Sequence, residues 1–213
     1  MTIISLKTEA RGELNRIELS DGSLFSYRIC YLPPELPNTH TISPDTAQGM
    51  EINAAEEAAF RLASACLRAE KTALRLIARA EQCTPGLARK LKKRGHENAC
   101  VNAVISRLTE LKLLDDRRFA QLWLESRLRL ARSPRRLLSS LCGRGIDRDD
   151  AESALRAALD EDTEHALLTR FVKKHSRKAG GDGDEHAVTR SLKYLLKSEG
   201  FSSAAIQRFF DEE

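Results

Sequence analysis

The sequence predicts a mainly α-helical protein: tandem three-helix repeats in an elongated, curved body, preceded by a small β-hairpin or three-stranded unit. Three observations predict it. A spaced signature occurs three times: Leu87, Leu91, Gly95, Val101; Leu137, Leu141, Gly145, Ala151; and Leu192, Leu196, Gly200, Ile206. Leucines at i and i+4 stack on one helix face, glycine at i+8 supplies the left-handed residue that stops a helix, and the apolar residue beyond begins another. Helix formers fill most positions after residue 54, and apolar residues alternate with polar ones before residue 31.

Residues 1–31 read as a small β unit with strands at 2–9, 14–20 and 23–30, the last two joined by a two-residue turn at Asp21-Gly22. Three short strands are marginal alone. Residues 32–53 hold Pro33, Pro34, Pro37, Pro44 and Gly49 and read as a linker. Asn53 with Glu56 three places on is a capping box, so a lead helix starts there and either ends near Leu67 or merges with the first helix of repeat 1. Lead helix and repeat 1 occupy 54–114, repeat 2 115–160 and repeat 3 161–213. Each repeat adds a helix-period segment upstream of its signature, at 73–80, 119–130 and 165–172. Thr84-Pro85 and Ser133-Pro134 look like hydroxyl caps with proline at the first helical position. Repeat 3 departs at Gly180-Gly181-Asp182-Gly183 and at Glu199, where the others have Arg94 and Arg144, as a terminal repeat should. Stacked repeats expose a long surface that suits a large polymeric partner.

Of the 213 residues 31% are charged and the net charge is only +4, so its distribution carries the information. Five cations and no acid lie between 84 and 95: Arg89, Lys90, Lys92, Lys93 and Arg94. Six arginines and no acid lie between 127 and 146: Arg127, Arg129, Arg132, Arg135, Arg136 and Arg144. Eight acids against two arginines fill 147–164. Blocks of one sign at this density favour a polyanionic or acidic partner. With Leu87 and Leu91 inward, at about 100° per residue Arg89, Lys92 and Lys93 point outward while Lys90 and Arg94 flank the stripe. The same construction sends Arg135 and Arg136 outward and leaves Arg144 near the seam. Singly each is a solvated cation; jointly, without acids to balance them, Arg89, Lys90, Lys92, Lys93, Arg94, Arg127, Arg132, Arg135, Arg136 and Arg144 form a candidate partner-binding set.

Trp123 with Phe119 and Leu122 sits ahead of the arginines; i, i+3, i+4 spacing argues core packing over stacking on a base. Cys30, Cys66, Cys83, Cys100 and Cys142 are an odd, scattered set without C-x-x-C, which reads as buried free thiols rather than disulfides or a zinc site. No phosphate loop, nucleophile elbow or H-E-x-x-H occurs, so no enzymatic activity, cofactor or metal is expected. No apolar run is long enough for a membrane span and the start lacks a leader pattern, so the expectation is a cytoplasmic monomer.

The string Leu113-Leu114-Asp115-Asp116-Arg117-Arg118-Phe119-Ala120, followed by Ser126-Arg127-Leu128, resembles the central signature of the RecX family of bacterial recombination regulators. The likeness extends from about 73 to 159 and more weakly through repeat 3. In physical terms Leu113 and Leu114 close one repeat's packing helix, Asp115 caps the next and Phe119 enters the core. The resemblance implies all-helical tandem repeats that bind the RecA filament on single-stranded DNA, lodge in its groove and modulate strand exchange and ATP hydrolysis, usually by inhibition. Repeat 1 has one residue fewer than repeat 2 between its hydroxyl-proline pair and its first leucine, and the strands match the family poorly. The alternative is an independent nonspecific nucleic-acid binder. Against an operator reader, the cations precede the glycine, and the helix after it carries acids: Glu97, Asp147, Asp149 and Asp150.

Overall fold

The computed structural model describes residues 1–9, 14–34, 47–176 and 185–212, in two compact units, Met1–Leu114 and Asp115–Glu213. Most of the expected linker and all of Gly180-Gly181-Asp182-Gly183 lie outside the described residues.

In the first unit, alternation at the N-terminus produces β1 (Ile3–Glu9), β2 (Leu14–Leu19) and β3 (Leu24–Arg28), an antiparallel sheet in that order. The β2–β3 connection uses residues 20–22, one more than the two-residue turn expected. Such a turn needs positive φ at both central residues, but among described non-glycine residues only Lys112 has it, so Gly22 alone, at φ 84°, reverses the chain. Asp21 accepts from the Ser23 N–H at 2.9 Å and the Ser23 hydroxyl at 2.8 Å, and these donors hold its carboxyl below the usual value. Ile3, Ile17, Leu19 and Tyr27 bury their side chains against a long helix, α1 (Ala54–Ile77), with Tyr27 and Phe60 rings 5.1 Å apart. Residues 47–52 run along β1, where Met50 O accepts from Ile3 N–H at 2.9 Å. The sheet is therefore part of the helical core, which supplies the support three strands alone lack.

Asn53 caps α1 through the expected box: its Oδ1 accepts from Glu56 N–H and Glu56 Oε2 accepts from Asn53 N–H, both at 2.9 Å. The lead helix and the first helix of repeat 1 are one continuous helix, since nothing between 68 and 72 breaks it. Next come α2 (Thr84–Lys93) and α3 (Asn98–Glu110). The N-cap of α2 is Cys83, not Thr84. Register is set by the first buried leucine: Leu87 N–H bonds Cys83 O and Leu137 N–H bonds Ser133 O, so Cys83 occupies the place of Ser133.

The second unit holds α4 (Asp116–Leu128), α5 (Pro134–Cys142), α6 (Arg148–Ala158), α7 (Glu161–Ser176), α8 (Glu185–Ser198) and α9 (Ser203–Glu212), giving nine helices among the described residues. In each triple the third helix packs on the first. Gly95, Gly145 and Gly200 all adopt φ between 82° and 93° and end the second helices with one bond pattern. The next residue's N–H (His96, Ile146, Phe201) reaches back to Leu91, Leu141 and Leu196, and the glycine N–H to Lys92, Cys142 and Lys197. That is the Schellman stop, and the apolar residue after glycine, Ile146 or Phe201, buries beside it. The same stop closes α3 on a lysine: Lys112 has φ 55°, with Leu113 N–H on Leu108 O at 2.9 Å. A side chain there is strained by about 1–2 kcal/mol. Lys112→Gly should raise stability by about 0.5–1 kcal/mol after the added freedom of the unfolded chain is counted; a urea midpoint that falls would contradict it.

Three expectations are corrected. Phe119 is only half-buried and Leu122 is 47% exposed; α4 buries Ala120, Trp123 and Leu124 instead, so its inward face lies one residue further round. Leu113 is exposed and only Leu114 is buried. Cys66, Cys83 and Cys100 are buried free thiols, but Cys142 is exposed because it follows Leu141, the last inward residue of α5, and Cys30 is exposed on the single 3-10 turn Ile29–Tyr31, which buries Tyr31 instead. Asp115 caps α4 as expected, accepting from Arg118 N–H at 3.0 Å.

Candidate functional site

In the first unit α2 buries Leu87 and Leu91 and exposes Arg89, Lys90, Lys92, Lys93 and Arg94. Their stems are tied back locally: Arg89 donates to Pro85 O at 3.3 Å, Lys90 to the Gln82 side-chain oxygen at 2.6 Å, and Arg94 to Lys90 O at 3.1 Å. Lys90, Lys92 and Lys93 occupy the last turn, where the helix dipole favours cations. That accounts for part of the cluster without any partner. It does not account for the missing acids: Glu57 pairs with Arg61, Glu56 caps α1, and Glu70 is buried between Arg28 and Arg107.

In the second unit the acidic block is likewise engaged away from the basic one. Asp150 pairs with Arg117 at 2.7 Å, Glu152 with Arg148 at 2.8 Å and Asp162 with Arg208 at 2.9 Å, while Glu164 accepts from Ser202 N–H and hydroxyl at 2.7 and 2.8 Å. The Arg117–Asp150 pair ties α4 to α6 and the Arg208 and Ser202 bonds tie α7 to α9 and its N-terminal end, while Arg148–Glu152 lies within α6. The hydrogen bonds from Arg208 to Glu212 and Asp162 hold that guanidinium's pKa above its ordinary value, and the Arg208 bond holds the Glu212 carboxyl below its own.

The arginines of α5 and its flanks fall into three groups. Arg132 and Arg136 are exposed. Arg135, though exposed, belongs to a seam between repeats 2 and 3: its N–H bonds Glu199 O at 3.0 Å and its guanidinium reaches Ser198 O at 3.3 Å, at the end of α8. Beside it the Ser133 hydroxyl donates to the Glu199 carboxylate. An acid at this N-terminus of α5 suits the helix dipole, which explains why Glu199 replaces the arginine of the other repeats. Ser133→Ala removes that bond and a cap to Arg136 N–H, so it should cost about 1–2 kcal/mol. A thermal melt unchanged from the parent would refute the seam.

Arg127 and Arg144 are half-buried over one ring. The Arg144 guanidinium lies 4.9 Å and that of Arg127 5.8 Å from the Trp123 centroid, and Arg144 also donates to Ser140 O at 3.3 Å. Trp123 is 9% exposed, too covered to stack on a base, so it is core on one side and a cation platform on the other. The i+4 spacing of Trp123 and Arg127 carried a signal for this contact; Arg144, on another element, carried none. The structure thus keeps Arg89, Lys90, Lys92, Lys93 and Arg94 together on one helix. It sets Arg136 outward on α5 and Arg132 outward on the connection just before it, and it commits Arg127, Arg135 and Arg144 partly to packing. No described helix is long and apolar enough to cross a membrane.

A model of the RecX second three-helix domain matches residues 115–155, which span α4 to most of α6. A regulatory protein RecX from Treponema pallidum is 38% identical over 144 residues, covering 67% of this chain and 84% of that protein. One from Halorhodospira halophila is 31% identical over 63% of this chain and 81% of its own. Among solved structures, a crystal structure of regulatory protein RecX superposes with TM-score 0.73 at 19% identity, covering 99% of this chain and 98% of that one. RecX from Lactobacillus salivarius superposes with TM-score 0.57 at 20% identity over 71% of this chain and 97% of its own, and these two establish a shared fold.

Proposed function

The chain belongs to the RecX family of regulatory proteins, and from that premise we propose that it binds the RecA filament on single-stranded DNA as a monomer and lowers its ATP turnover and strand exchange. It acts by occupancy, without chemistry of its own. The observation that supports this reading is the pairing of charge. Glu57 and Glu70 in the first unit and Asp150, Glu152, Asp162 and Glu164 in the second are engaged in internal ties, whereas α2 and the outward edge of α5 present cations to the surroundings. A filament of protein on nucleic acid is a repeating anionic surface, and charge-assisted contacts to it are strong and salt-sensitive.

The test is co-sedimentation with RecA filaments, together with their ATPase rate, across a salt series. Retention on filaments at a salt concentration where bare single-stranded DNA retains nothing, with ATPase falling as protein is added, is the expected result. Unchanged ATPase with no co-sedimentation at stoichiometric protein removes the proposal. Equal retention on bare DNA replaces it with an independent nucleic-acid binder.

A further inference from the structure

Two of the buried thiols are not scattered in space. Cys66 on α1 and Cys100 on α3 are 3% and 1% exposed, yet their sulfurs stand 2.7 Å apart. That is closer than unbonded sulfurs normally approach and within about 1 Å of a disulfide bond, about 2.05 Å. Cys100 also lines a cavity of about 250 Å³ with Arg68, Arg94, His96 and Glu97, ample for a small oxidant when a water needs roughly 30 Å³. We infer that Cys66 and Cys100 are a modification site: a thiol pair that a hydroperoxide joins into a disulfide between α1 and α3.

The two sulfurs take different parts. Burial, and then the shared proton with Cys100, push the Cys66 thiol well above its ordinary pKa, which suits it to wait as a thiol. Cys100 lines the cavity, so its sulfur is the one that an entering oxidant meets first. As thiolate, Cys100 Sγ attacks one peroxide oxygen; the O–O bond breaks, and hydroxide leaves and takes up the thiol's proton as water. The product is a sulfenic acid on Cys100. Cys66 Sγ then attacks that sulfur, the S–O bond breaks, and the departing hydroxide takes the Cys66 proton as a second water. Two thiols lose two electrons, and one peroxide becomes two waters. The bond closes a loop from 66 to 100 that contains the whole of α2, tying the cationic helix's two neighbours together.

The test uses the full chain. It is treated with a few equivalents of hydrogen peroxide, quenched, alkylated under denaturing, non-reducing conditions and digested with trypsin. Cleavage after Arg61, Arg68, Arg94 and Arg107 gives peptides 62–68 and 95–107. The expected product is these two joined, two hydrogens lighter than their sum, released by dithiothreitol and absent from Cys66→Ser and Cys100→Ser. Cys66→Ser should instead stop at a sulfenic acid on Cys100 that dimedone traps. The oxidised chain should melt at least about 5 °C higher, because the closed loop restricts the unfolded state. Cys66 still fully alkylated after peroxide treatment, Cys100 passing to sulfinic acid without cross-linking, or cross-linking only in denatured protein each overturns the inference. The exposed Cys30 and Cys142 fall in other peptides and do not interfere.

Discussion

Glu70→Ala is expected to lower stability by about 3 kcal/mol, read from urea denaturation monitored by circular dichroism. The Glu70 side chain is 3% exposed and faces two guanidinium groups, Arg28 from β3 at 2.9 Å and Arg107 from α3 at 3.6 Å. One carboxylate thus joins the sheet, α1 and α3. Removing it leaves two like charges in a site where each arginine is only 22% exposed. Removal of one partner from a buried pair costs about 3–5 kcal/mol, and the partial access of water to the arginines places this case at the low end. Glu70→Gln keeps the shape and a hydrogen-bond acceptor, so it should cost less, about 1–2 kcal/mol. A loss below about 1 kcal/mol for the alanine variant would mean that packing of Tyr27 and Phe60, not this carboxylate, holds the sheet to the helices.

How much of this fold and site is legible in the sequence differs with the range of the interaction. The three stops at Gly95, Gly145 and Gly200 are legible because a left-handed residue after two stacked leucines is a local requirement, met within ten residues. The caps at Asn53 and Asp115 are legible for the same reason. Lys112 is not: it ends α3 in the same left-handed conformation, but a lysine carries no sign of it. Contacts between distant segments are silent. Nothing in the spacing of Cys66 and Cys100, 34 residues apart, or of Arg135 and Ser198, 63 apart, foretells that they meet. Composition finds the candidate cations, but it locates charge without showing its use. Geometry divides Arg132 and Arg136, pointing outward, from Arg135, which completes the end of α8, and from Arg127 and Arg144, which lie over Trp123.

That division decides which substitutions test the proposed function. Arg135→Glu would set a carboxylate against Ser198 O and the end of α8, so it would weaken the repeat 2–repeat 3 seam and confuse folding with binding. Arg132→Glu with Arg136→Glu avoids this. Both side chains are exposed, and Arg136 lies in the first turn of α5, where an acid is tolerated by the dipole. The double variant should keep its helical content and melt within about 0.5 kcal/mol of the parent. Loss of two charge-assisted hydrogen bonds to an anionic partner, at about 1.5–3 kcal/mol each, amounts to at least a tenfold weakening, measured as the protein concentration that halves filament ATPase. Lys92→Gln with Lys93→Gln makes the parallel test on α2; neutral replacements there avoid placing acids at a helix C-terminus. Each pair should also flatten the salt dependence of filament binding, since fewer ions are displaced. If both doubles inhibit filaments as well as the parent, these faces are only solvated charge and the contact surface lies elsewhere on the chain. If they lose filament and bare-DNA binding in equal measure, the cations recognise nucleic acid rather than the recombinase on it.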